Sequence, residues 1–171
     1  MKKRSKLHFY LVDTVSGWMG VVGSPDGLRE IVLPQISIEL VCQAVMQKYG
    51  IVQVDSSAYF GTLPQRLKAY FEGQHIEFPD DLDLSDATDF QRSIWEKTRT
   101  IPYGETKSYG WVAREAGYQK AARAVGNALG ENPFPIIVPC HRVIRSDGGL
   151  GGFTGGIEVK EYLLQLERGI G

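Results

Sequence analysis

The chain has 171 residues, 43% of them apolar and 23% charged, and its 19 basic and 20 acidic side chains give a formal charge of −1. Those proportions describe one or two folded domains and exclude a disordered or fibrous chain. Near-zero charge excludes nucleic-acid binding by bulk electrostatics, so any such site has to be a local patch, and no apolar run approaches the ~18 residues a membrane helix needs. Two cysteines, Cys42 and Cys140, are too few for a disulfide scaffold or a thiolate zinc site and fit a reducing, cytoplasmic setting.

Residues 1–6 are basic and read as a solvated tail leading into a strand, not as a signal peptide. Residues 7–13, 18–22 and 28–33 are rich in strand formers. The turn-like segments between them, 14–17 and 23–27, predict a three-stranded antiparallel meander. Residues 37–48 place Leu40, Val41, Ala44 and Val45 at helical spacing, with Gly50 as the stop. A second helix is expected over 63–73. Residues 74–88 carry Pro79 with Glu77, Asp80, Asp81, Asp83 and Asp86 and show little periodicity. They are read as a linker, which divides the chain into an N-terminal α/β lobe, 1–80, and a C-terminal lobe, 81–171.

The C-terminal lobe opens with a helix over 86–98, its core face made by Phe90, Ile94 and Trp95. Ser108 can cap a helix over 109–116, Gly117 ends it, and a second helix over 119–129 follows at once. Two helices joined by a tight glycine turn are a weak signature of a helix-turn-helix. Residues 119–145 carry Lys120, Arg123, Arg142 and Arg145 against Glu131, a local charge of +3. Ile136-Ile137-Val138 reads as a buried strand running into Pro139-Cys140-His141-Arg142-Val143. Six of the nine residues from Gly148 to Gly156 are glycine, which lets backbone approach a ligand closely. The last helix, 159–168, is expected to turn Val159, Tyr162, Leu163 and Leu166 inward.

Cys140 is the first candidate for chemistry, since a neighbouring base favours the thiolate. A cysteine that only fills core space is an equally good reading of its spacing. His141 can be the base, but neighbours on a strand point to opposite faces, so contact with Cys140 needs a turn or a bridging water. Glu167 matters only if it orients His141; otherwise it is a solvated helix residue. The glycine-rich loop is neither a Walker loop nor a dinucleotide fingerprint.

Taken together, Pro139-Cys140-His141-Arg142-Val143, Asn132-Pro133, Gly155-Gly156, Glu167, Ile101-Pro102-Tyr103-Gly104-Glu105, Ser108-Tyr109 and the run from Lys120 to Gly126 resemble the O6-alkylguanine-DNA alkyltransferases. The likeness covers residues 86–168; the N-terminal lobe matches only in outline. The resemblance implies an α+β protein: a small antiparallel sheet lobe of ribonuclease H-like kind, then a mostly helical lobe with the helix-turn-helix. It implies that Cys140 accepts the alkyl group from O6 of guanine, or from O4 of thymine, once per molecule. His141 deprotonates the thiol through a water, Glu167 holds the imidazole, Tyr109 protonates the leaving base and Asn132 braces the turn before the cysteine.

For the substrate, the resemblance implies that duplex DNA is entered from the minor groove by a monomer; cooperativity stays open. Arg123 fills the gap left by a flipped base, while Ala122, Ala124 and Gly126 allow close approach to the backbone. Val143, Phe153, Thr154 and Gly155 contact the base, and Arg142 adds to the DNA-binding charge. Phe153 and Thr154 stand where the family often has tyrosine and serine, which puts a hydroxyl contact from residue 153 in doubt. Cys42, His8 and His75 make no zinc set, so neither metal nor cofactor is expected. Two alternatives stay open: a regulator using only the helix-turn-helix, and a multiple-turnover hydrolase with a Cys140–His141–Glu167 triad.

Overall fold

Alternating strand formers and turn residues fold the start of the chain into β1 (His8–Thr14), β2 (Gly17–Ser24) and β3 (Gly27–Gln35), paired antiparallel in sequence order. The structure, a computed structural model, describes residues 6–50 and 53–169; the first five residues of the basic tail lie outside the described residues. A fourth short strand, β4 (Gln53–Val54), pairs parallel to β1 and gives the order β3-β2-β1-β4. Two residues are too few for a period-2 signal, which is why the sequence pattern does not reveal it.

α1 (Ile38–Tyr49) starts at Ser37, whose hydroxyl accepts from the Leu40 N–H, and ends at Gly50. Its Val41 and Val45 pack on Phe9, Val22 and Val32. The approach is close: a Cβ at Gly20 would lie 2.7 Å from Val41 Cγ1, so only glycine fits under the helix. α2 (Leu63–Phe71) packs against β1.

By their contacts the residues form two units, Met1–Ser85 and Asp86–Gly171. The acidic stretch expected to act as a linker is instead sewn to the N-terminal sheet as far as Ser85. Leu28 N–H donates to Asp81 O and Asp83 N–H to Leu28 O, both at 2.8 Å. The buried Asp83 carboxylate accepts from Ser24 Oγ at 2.6 Å and pairs with Arg29 at 3.2 Å. The stretch reads as a linker because pairing across 59 residues leaves no local trace.

The second unit contains α3 (Asp89–Arg99), α4 (Tyr109–Glu115), α5 (Ala122–Gly130) and α6 (Ile157–Glu167), with a two-stranded parallel ribbon of β5 (Lys107–Ser108) and β6 (Val143–Ile144). Thr88 and Gln91 form a reciprocal capping box at α3. Ser108 caps α4 through the Trp111 N–H. The second helix of the helix-turn-helix starts three residues later than its pattern suggests, because Lys120 adopts a left-handed backbone (φ 60°) inside the turn. Trp95 fixes α3 to α5 by donating its indole N–H to Ala128 O at 2.9 Å.

Two expectations fail in this unit. Residues 136–138 are a buried turn, not a strand: Ile136 has φ 76°, and the Val138 N–H returns to Phe134 O. α6 buries Lys160, Leu163, Leu164 and Glu167, while Tyr162 is 41% exposed. The helix is rotated by about one position because both charged residues have partners inside. No helix among the described residues is long and apolar enough to cross a membrane.

Candidate active site

Cys140 sits in a 3₁₀ turn (Cys140–Arg142) between the buried turn and β6, so the strand pleat that would constrain Cys140 and His141 is absent. A left-handed backbone at a β-branched residue such as Ile136 needs support from its surroundings. Asn132 supplies it from the end of α5. Its Nδ2 donates to Val138 O at 3.0 Å, and its Oδ1 accepts from the Phe134 N–H at 2.9 Å. The same side chain also favours the ionised form of the Cys140 sulfur.

The thiol lies at the wall of a cavity of about 800 Å³ that Tyr109, Arg123, Arg145, Phe153 and Thr154 also line. Ala122 and Gly126 of α5 and Gly151 and Gly152 of the glycine-rich loop line it too. Burial pushes the Cys140 thiol up; Asn132, the Lys160 charge and the Cys140 and His141 N–H groups oppose this only in part. The resting sulfur is therefore a neutral thiol that needs a base.

His141 is completely buried and its Nε2 lies 2.7 Å from Glu167 Oε1. Burial pulls the imidazole below its ordinary value, with Glu167 pulling the other way. Glu167 is pushed up by burial, but hydrogen bonds from His141 and Arg142 outweigh this and hold it far below the carboxylate range. The pair at rest is neutral imidazole and carboxylate. With Nε2 donating to Glu167, the other ring nitrogen, Nδ1, is left to take a proton.

Burial raises the Tyr109 hydroxyl, and a thiolate at Cys140 raises it further once formed, keeping it a proton donor. The Lys160 ammonium donates to Val143 O at 2.6 Å and to Tyr109 Oη and Gly152 O at 3.3 Å. Burial lowers Lys160 to about 8, with Cys140 opposing. Sequence reasoning missed this residue. The available signal was its position seven residues before Glu167, with Leu163 and Leu164 between them on one helix face.

Not every residue expected to touch base or DNA lines the cavity. Val143 is fully buried and its carbonyl already accepts Lys160. Ala124 and Gly155 are exposed but do not line the cavity. Arg142 is a correction: it is 8% exposed and faces inward, binding Glu167 and Ile101 O, so its charge is spent inside the protein. That lowers the charge available on residues 119–145 to +2, from Lys120, Arg123 and Arg145 against Glu131.

The glycine-rich loop passes directly over Tyr109. Gly151 has φ +73°, and a Cβ there would sit 2.5 Å from the tyrosine oxygen. Gly151→Ala is therefore expected to displace Tyr109 or the loop and slow the thiol's reaction by about tenfold or more. Single-turnover kinetics would test this, and a loss below twofold would contradict so tight a fit.

A buried thiol, next in sequence to a neutral base and sharing its cavity with a held proton donor, can act as a nucleophile toward an electrophile bound there. The sequence profile described as "6-O-methylguanine DNA methyltransferase, DNA binding domain" matches residues 89–169. A Mycobacterium tuberculosis protein named methylated-DNA–protein-cysteine methyltransferase is 54% identical over 114 residues, 67% of this chain and 68% of that one. A Methanosarcina acetivorans protein of the same name is 46% identical over 115 residues, 67% and 72% of the two chains. The crystal structure of Mycobacterium tuberculosis OGT in complex with DNA superposes with TM-score 0.79 at 41% identity, covering 95% of this chain and 94% of that one. The O6-methylguanine-DNA methyltransferase of Pyrococcus kodakaraensis superposes with TM-score 0.72 at 26% identity, covering 94% and 98%. This chain belongs to the methylated-DNA–protein-cysteine methyltransferase family.

Proposed function

We propose that the protein repairs alkylated DNA by direct reversal, moving the alkyl group from O6 of guanine to Cys140 in a single irreversible step. The observation that carries this reading is the position of the Cys140 thiol, in one cavity with Tyr109 and Arg123 and backed by the buried His141–Glu167 pair. An alkoxy carbon on an aromatic base is a poor electrophile, so both a strong nucleophile and a good leaving group are required. The thiol proton passes through a water to His141. The sulfur attacks the alkyl carbon, the C–O6 bond breaks, and its electron pair returns to the guanine. Tyr109 gives the base a proton so that it leaves neutral, and the Lys160 ammonium beside the hydroxyl eases that release. The thioether has no route back, so each molecule acts once.

The partner is duplex DNA, bound by a monomer, with α5 entering the minor groove. The target base has to leave the stack at a cost of a few kcal/mol, and Arg123 fills its place. With a local charge of only +2 on residues 119–145, binding is weak and salt-sensitive. Arg123→Ala is expected to slow repair of a duplex by about tenfold or more while leaving reaction with free O6-alkylguanine within about twofold, since only the duplex needs flipping. Equal losses on both substrates would remove that role.

The test of the reading is stoichiometric. A duplex carrying O6-methylguanine, in excess over protein, is digested and its bases separated after incubation. The lesion lost should equal the protein present. Loss beyond one equivalent would mean turnover and would favour the hydrolase-like alternative; no loss would leave a DNA-binding protein without this chemistry.

A further inference from the structure

Glu167 is shared. Its Oε1 accepts from His141 Nε2 at 2.7 Å and from Arg142 Nη2 at 2.8 Å; its Oε2 accepts from Arg142 Nε at 2.9 Å and from the Gly104 N–H at 3.1 Å. The guanidinium is itself fixed, with Nη1 donating to Ile101 O at 2.7 Å and the Tyr103 ring 5.7 Å away. The adjacent residues His141 and Arg142 thus address one buried carboxylate, and the arginine takes it in a fork that reaches both oxygens.

The charges around this carboxylate decide what the histidine can do. A buried carboxylate with only an imidazole for company is neutralised best by an imidazolium, and an imidazolium cannot accept a proton. A permanent guanidinium on the same carboxylate removes that demand. The groups facing His141 are Glu167 and Lys160 from α6, and Cys140 and Arg142 from its own turn. Of these only Glu167 draws a proton onto the imidazole, while Arg142 and Lys160 repel one.

We propose that Arg142 is a positioning residue for alkyl transfer: by sharing Glu167 with His141 it keeps the imidazole oriented and uncharged, ready to take the thiol proton. The inference rests on the alkyl-transfer reading above. In the step it serves, the S–H bond breaks and the proton passes through a water to His141 Nδ1. Nε2–H stays on Glu167, and the summed charge of His141, Arg142 and Glu167 rises from zero to +1. Without the guanidinium, burial is left with less help against the pull of Glu167, and His141 takes up its proton at higher pH than in the intact site.

The test is the pH profile of single-turnover transfer for wild type, Arg142→Gln and Arg142→Lys, read beside NMR titration of the His141 imidazole in each. In wild type both the acid limb of the rate and the imidazole titration should lie below the ordinary histidine value of ~6.5. In Arg142→Gln both should move up by about one pH unit or more. In Arg142→Lys, which keeps the charge but loses the fork, the plateau rate should fall while the limb stays near wild type. Limbs unmoved in both variants would reduce Arg142 to packing and overturn the inference, as would equal movement in both. If Arg142→Gln does not fold, wild type and the lysine variant still decide: a wild-type imidazole titrating at or above ~6.5 contradicts the inference. If wild type transfers no alkyl group, the alkyl-transfer reading fails, and the NMR comparison separately shows whether Arg142 holds His141 neutral.

Discussion

Cys140→Ala should take up no alkyl group from an O6-methylguanine duplex and should bind that duplex within about twofold of wild type. Among the described residues lining the cavity, the Cys140 sulfur alone can become a strong nucleophile, and α5, which carries the proposed DNA contacts, does not depend on it. Cys140→Ser sharpens the result. It keeps nearly the same shape, but a hydroxyl is far harder to deprotonate than a thiol and attacks a saturated carbon poorly. Its rate should fall by about 10⁴-fold or more. Electrophoretic mobility shifts and single-turnover kinetics measure the two properties separately. A Cys140→Ala protein that still cleared the lesion would move the chemistry to another residue, and one that lost DNA binding would make the cysteine turn part of the interface.

Glu167→Gln is the second large effect, and it acts on stability and chemistry together. Removing the carboxylate charge leaves the Arg142 guanidinium buried without a counter-ion, and breaking a buried pair in this way costs about 3–5 kcal/mol. That is a large share of the ~5–15 kcal/mol by which folded proteins are stable. Transfer should slow by about 10²-fold or more, because the imidazole loses the partner that fixes its tautomer and orientation. The pH dependence follows from the same contacts. Glu167 is held below its unfolded value, so its contribution is complete above about pH 5 and is lost as pH falls through the native value. His141 is also held low, so below ~6.5 the unfolded chain binds a proton that the native state refuses, and stability falls further. Wild type should therefore lose stability steeply on acidification, and Glu167→Gln should start lower with a shallower acid slope. Urea denaturation between about pH 4 and 8 would show this. A variant as stable as wild type at pH 7 would contradict the picture of an uncompensated arginine.

Much of this architecture can be read from the residues, and the failures share one cause. The meander, the two helices of the helix-turn-helix and the cysteine motif all rest on local signals: strand formers between turns, a serine cap at Ser108, and a thiol beside an imidazole. What pattern reading misplaces depends on partners distant in sequence. Lys160 and Glu167 look like solvated helix residues until Val143, Tyr109, His141 and Arg142 are brought to them. Arg142 looks like DNA-binding charge because its anchor lies 25 residues away. The run Ile136-Ile137-Val138 has strand composition, but Asn132 holds its ends as a turn, and that turn gives Cys140 its place. β4 is too short to announce itself.

The most direct measurement is the intact mass of the protein after mixing with a duplex containing one O6-methylguanine, followed by peptide mapping. Direct reversal predicts a gain of one methyl group on the peptide containing Cys140, saturating at one per molecule however much duplex is added. An unchanged mass with the duplex still bound, or a methyl group mapped to any other residue, would contradict it.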